Sequence, residues 1–248
     1  MTIPLVLKVL STVSIAVAAF ALVKDVWARR GRDGYPLAIL TRERFGVPWG
    51  GSPKLLLLAF LAGVSATFVP VMIGVGSGVV RVSLNHNLSA AYAAKALVNV
   101  LIIFLWAAAE ELTYRGSVLT ALLRFCSPPA AIVGSALLFA LEHVGSNRPD
   151  WTLDGVWLMD GICFAIAYLL THSLWMPTVW HAAHNLGIWC MGWFVVQLTP
   201  GILQVDYGHW GARVTGLYGL TSAAITLATI AVFMRATRKK APPLPSSS

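Results

Sequence analysis

Residues 96–115 read ALVNVLIIFLWAAAEELTYR, and the fold turns on how that stretch is taken. Ten uninterrupted apolar residues, 100–109, run straight into Glu110 and Glu111, with Arg115 four positions further on. An ionisable side chain inside a membrane span costs about 2.5–3.5 kcal/mol on insertion scales, so charges at the end of such a run need a reason. Glu111 and Arg115 are spaced i,i+4, share a helical face and can pair. Glu110 is rotated by about 100°, onto a stripe with Ala107 and Tyr114. An interfacial ion pair capping the helix accounts for Glu111 and Arg115 and leaves Glu110 unexplained.

The stretch is one of seven apolar segments, at roughly 4–23, 55–79, 94–114, 129–145, 154–172, 176–197 and 214–234. Hydrophobic residues make up 57% of the 248, and charged residues only 11%. The mean hydropathy is +0.73. Soluble domains carry about 25% charged residues, so this chain cannot cover a water-facing surface in the usual way. The expectation is an all-α polytopic membrane protein: one membrane-embedded domain over 1–240, built as a bundle of about seven transmembrane helices. The Pro/Ser-rich tail 241–248 is expected to be disordered. The first segment resembles a signal peptide, but it meets Lys24, Arg29, Arg30 and Arg32, a stop-transfer pattern, and reads as a retained span.

A net charge of +8 raises the question of nucleic acid. The basic residues collect between Lys24 and Lys54 and in Arg235, Arg238, Lys239 and Lys240, flanking apolar spans. That is the distribution anionic headgroups and the positive-inside rule select, and no groove-reading module accompanies it. With the 24–54 loop inside, thirteen Lys and Arg fall inside against four outside (Arg81, Lys95, Arg148 and Arg213), which predicts N-out, C-in. Cys126, Cys163 and Cys190 are far apart in sequence, form no CxxC pair and read as packing residues.

Further polar residues interrupt the later spans. The fourth carries Glu142 and His143, the fifth Asp160, and the sixth His181, His184 and Asn185 within WHAAHN. His181 and Asn185 are i,i+4 and reach the same patch. Between the third and fourth spans lies GSVLTALLRFCSPP, which either prolongs the third helix or lies along the inner interface. Its Ser117, Thr120, Arg124 and Ser127 are spaced to line one helical face. Glu110 lies 17 residues before Ser127 and His143 lies 16 after it. Two helical arms would place both about 25 Å from the turn, at matching depth. His181 follows Pro177 closely, so the second turn would have to sit higher in the membrane than the first.

EELTYR, FALEH and HAAHN match EExxxR, FxxxH and HxxxN, in order and on three separate spans. Over roughly residues 95–190 the chain therefore resembles the CPBP (Abi) family, which includes the type II CAAX prenyl endopeptidases. The resemblance implies a glutamate-dependent intramembrane endopeptidase without metal or other cofactor, in a membrane such as the bacterial inner membrane. Its substrate would be a membrane-associated protein or peptide, cut near its C-terminus or membrane anchor. By motif position Glu110 would be the general base and His143 would hold and polarise the attacking water. His181 and Asn185 would stabilise the oxyanion, with Glu111 and Arg115 in support. Glu142, Asp160 and His184 have no place in these motifs. Three rival readings are a zinc peptidase using His143, His181 and a glutamate, a non-catalytic immunity or scaffold protein, and a proton-coupled transporter. Against them stand the lack of an HExxH, the intact motif residues and the lack of repeated halves.

Overall fold

The computed structural model describes residues 52–85, 88–123, 125–143, 151–192, 198–206 and 211–238. In chain order they form α1 (Pro53–Gly76), β1 (Arg81–Leu84), α2 (Ala90–Glu111), α3 (Pro128–His143), α4 (Trp151–Thr171), α5 (Trp175–Cys190), β2 (Leu203–Asp206) and α6 (Gly211–Arg238). Six of the seven apolar segments thus carry a helix. The first segment, 4–23, the basic stretch up to residue 51 and the tail 241–248 lie outside the described residues.

Proline and serine set the helix starts. Pro53 occupies the first turn of α1, where its missing N–H costs nothing, and Ser89 caps α2 by accepting from the Tyr92 N–H at 3.1 Å. Of the two courses open to the stretch after the third segment, the structure takes the prolonged helix. The helix does not stop near residue 114: Leu112–Leu119 continue it as a π-helix and Thr120–Leu122 as a last α turn. Because a π-helix bonds five residues back, the 3-4-3 spacing of polar residues lines no single face there. The Ser117 and Thr120 hydroxyls instead donate to the backbone carbonyls of Leu112 and Gly116. Arg124 lies outside the described residues.

Among the described residues, two helices are long and apolar enough to cross a membrane, α1 and the continuous stretch Ala90–Leu122. With sixteen residues each, α3 and α5 rise only about 24 Å, against a hydrocarbon core of about 30 Å. These two short helices carry His143, His181 and His184, so the residues that lower their hydropathy are candidates for chemistry.

The all-helical expectation needs one amendment. β1 and β2 pair antiparallel, with Arg81 opposite Asp206 and Leu84 opposite Leu203. The Asn85 side chain extends the tie by donating to the Gly201 carbonyl at 3.1 Å. The same connection is fastened to α2, where the buried Asn99 donates to Thr199 Oγ1 and accepts from the Leu198 N–H, both at 2.8 Å. That pairing accounts for the one amide inside the apolar run of α2.

The helices meet through small residues. α1 turns Ala59, Ala62, Gly63, Ala66 and Thr67 toward α5, and Phe164, Trp180 and Phe233 fill the space where α4, α5 and α6 converge. In lipid, helix association depends on close backbone approach rather than on expelling water. Gly63 shows how close it is. A Cβ there would lie 2.8 Å from both Ala183 Cβ and His184 N, and would strike the Trp180 carbonyl. Gly187 faces Thr67 with equally little space. Gly63→Ala is therefore expected to force α1 from α5 and cost about 1–3 kcal/mol, read as a lower melting temperature in detergent. An unchanged melting temperature would show that the contact relaxes freely.

Candidate active site

The widened π turn begins immediately after Glu111, and such turns are frequent at functional sites. The helix continues past the glutamates, so both lie in its interior: Glu110 is 6% exposed, Glu111 0% and Arg115 1%. An interfacial cap is thereby ruled out as the role of this cluster. Arg115 therefore lies inside the helix bundle and not in a loop after the third segment.

Arg115 is held from several sides. Its Nη1 donates to Glu111 Oε1 at 2.9 Å, its Nη2 donates to the Gly161 carbonyl at 3.0 Å, and its guanidinium lies over the rings of Phe139 and Phe164. Gly161 also lets α4 approach α3 closely, because a Cβ there would sit 3.0 Å from Ala136 Cα. One cation thus joins α2, α3 and α4. A carboxylate and a guanidinium buried together need this density of partners to offset desolvation.

α5 brings the second motif to the first. His181 Nδ1 lies 2.9 Å from Glu111 Oε1, the same oxygen that receives Arg115. An ionised carboxylate only accepts, so Nδ1 carries the proton. The other nitrogen, Nε2, lies 3.4 Å from Glu110 Oε2, a contact within ion-pair reach but without hydrogen-bond geometry. Two lone pairs facing at that distance would repel, so the pair is favourable when one partner holds a proton. Glu110 Oε2 has no hydrogen-bond partner among the described residues, whereas Oε1 accepts from the Trp106 indole N–H. The two oxygens of one carboxylate are thus unequal.

The third motif arrives through aromatic contacts. The Phe139 ring lies 4.7 Å from the ring of His143 and 5.7 Å from that of His181. The Tyr114 hydroxyl, on the Glu110 stripe, donates to Glu142, the neighbour of His143. The two arms of the hairpin are therefore level where Tyr114 meets Glu142. His143 Nδ1 bonds the Phe139 carbonyl at 2.9 Å, and a carbonyl can only accept, so Nδ1 carries the hydrogen. In the neutral ring Nε2 then keeps the lone pair.

The remaining residues divide cleanly. Asn185 lies one turn beyond His181 and is half-buried, and among the described residues no hydrogen bond ties it to the glutamates. His184, adjacent in sequence, belongs to another contact: its Nδ1 lies 3.2 Å from Asp160 Oδ2, with both residues buried. Asp160 thus lies within ion-pair reach of a histidine on the neighbouring helix. Sequence spacing could not have found the Asp160–His184 and Tyr114–Glu142 contacts, since each joins separate helices. The Trp106–Glu110 contact was available as an i,i+4 pair. Cys163 is buried, Cys190 half-buried and Cys126 exposed.

Residues 92–187 match the family model of the type II CAAX prenyl endopeptidase Rce1-like domain. The match contains Glu110, Glu111, Arg115, His143, His181 and Asn185, and ends close to where the motif resemblance ends. No curated protein matches the chain.

Proposed function

We propose that this protein is a membrane-embedded, glutamate-dependent endopeptidase: residues 92–187 match the type II CAAX prenyl endopeptidase Rce1-like family model, and that family implies a CAAX-protease type of activity. The protein hydrolyses a peptide bond near the C-terminus or membrane anchor of a membrane-associated substrate. The observation that carries the reading is the contact of the buried Glu110 Oε2 with His181 Nε2 at 3.4 Å; Glu111 Oε2 likewise has no hydrogen-bond partner among the described residues, but Glu111 is engaged through Oε1 by Arg115 and His181.

In this reading Glu110 Oε2 takes a proton from water, and the resulting hydroxide attacks the scissile carbonyl carbon. His143 Nε2 accepts from the same water and orients it. The oxygen that becomes negative is stabilised by the Asn185 N–H and by His181 acting as the imidazolium, whose Nδ1–H is held by Glu111 and whose Nε2–H is left to donate. Glu110 then passes its proton to the leaving nitrogen as the C–N bond breaks. Glu111 and Arg115 hold His181 in place. The geometry favours this over a zinc site, because the Glu111 oxygen nearest His181 already receives the Arg115 guanidinium, and a metal cation there would be repelled.

The family directs the first substrate to a prenylated C-terminal tail. Protein reconstituted in phosphatidylethanolamine–phosphatidylglycerol vesicles should release a C-terminal fragment from an internally quenched farnesylated peptide, and much less from the unprenylated peptide. Cleavage of neither by folded protein would sink the peptidase reading, and equal cleavage of both would sink the prenyl preference.

The architecture proposed around the site is seven spans, N-out and C-in, in a bacterial plasma membrane. Cysteines introduced singly as Tyr35→Cys or Pro242→Cys, in a background lacking the native cysteines, should label only from the cytoplasmic side. Asp206→Cys should label only from outside. The reverse pattern would invert the orientation.

A further inference from the structure

We propose that Trp106 is a positioning residue for the general base: its indole N–H engages Glu110 Oε1 and so assigns proton transfer to Oε2. The inference rests on the reading of Glu110 as the base and adds which oxygen acts and what makes it so.

The two residues are i,i+4 on α2, and the indole Nε1 donates to Oε1. The opposite oxygen, Oε2, is buried, without a hydrogen bond among the described residues, and directed at His181 Nε2. A carboxylate with two equivalent oxygens can rotate and offer either one. A donor fixed on one oxygen ends that freedom and presents the other in a single orientation, which is the entropic contribution that positioning makes to catalysis. Trp106 itself is 46% exposed, so its ring packs loosely and its loss leaves the bundle core intact. Glu111 needs no such partner, because Arg115 and His181 already fix its Oε1.

Trp106→Phe keeps an aromatic ring and removes the donor. On the farnesylated peptide it should lower kcat by about ten- to hundredfold, the worth of a hydrogen bond to a charged group, with KM unchanged and the melting temperature near that of the parent. Trp106→Gln, which restores an N–H donor at i,i+4, should recover part of kcat. A benzothienyl-alanine at 106, shaped like tryptophan but without the N–H, should behave as Trp106→Phe does and covers the case where Phe fails to pack. Unchanged kcat in these donor-less variants, or an effect on KM alone, overturns the proposal and makes Trp106 a wall of the site.

A second measurement needs no substrate. With indole-15N labelling of the ten tryptophans, the Nε1–H signal lost in Trp106→Phe identifies Trp106. That signal should move upfield in Glu110→Ala. If it stays put, the bond to Glu110 is absent and the proposal fails, whatever the activity. If instead Glu110→Gln retains full cleavage while the signal responds to Glu110→Ala, the failure belongs to the general-base reading.

Discussion

Glu110→Gln is expected to lower kcat by about 10²–10⁴-fold, the usual contribution of a general base, while the protein inserts and folds as before. Glutamine has nearly the same shape and still offers a carbonyl oxygen to the Trp106 indole, so the packing around α2 is kept. It cannot take a proton from water at neutral pH. The substitution also removes a charge that is 6% exposed, so stability should hold or rise slightly. His143→Ala should give a loss of similar order, because the water would lose its acceptor. Both are read by single-turnover cleavage of the farnesylated peptide alongside a melting curve. Full activity in either variant removes that residue from the mechanism.

The largest expected loss of stability belongs to Glu111 and Arg115. Both are buried at 1% exposure or less and joined at 2.9 Å, so removing one strands the other in a medium that cannot solvate it. Glu111→Gln and Arg115→Met should each cost about 3–5 kcal/mol, and the double substitution should recover part of that. Recovery is partial for a stated reason. Glu111 also receives His181, and Arg115 also donates to the Gly161 carbonyl and covers Phe139 and Phe164. A double-mutant cycle on melting temperature measures the coupling. If Glu110 rather than Glu111 couples to Arg115, the roles of the two glutamates must be exchanged.

The helical character and the approximate bounds of six segments follow from the sequence, because lipid and close-packed helices both demand long apolar runs with internally satisfied backbones. The three motifs were equally legible: a charge or a histidine inside an apolar run stands out against its neighbours. So was the division between adjacent glutamates, since i,i+4 spacing pairs Glu111 with Arg115 and turns Glu110 away, as the 2.9 Å contact records. All of this is local in the chain and needs only helical periodicity.

Tertiary structure decided what periodicity cannot express. The π-helix after Glu111 shifts the phase of the residues that follow, so α-helical spacing drifts along it even though the Glu111–Arg115 pair at its start still forms. The ribbon of β1 with β2 joins segments more than a hundred residues apart. Sequence could list Asp160, Glu142 and His184 as charges in need of partners. Only the packing of α4 against α5, and of α3 against the π-helix that prolongs α2, assigned His184 to Asp160 and Glu142 to Tyr114. It also placed one proton-bearing histidine against two glutamates. In an apolar medium a buried polar group takes whichever partner the neighbouring helix presents, and that choice is made by side-chain volume and glycine contacts distributed over the whole bundle.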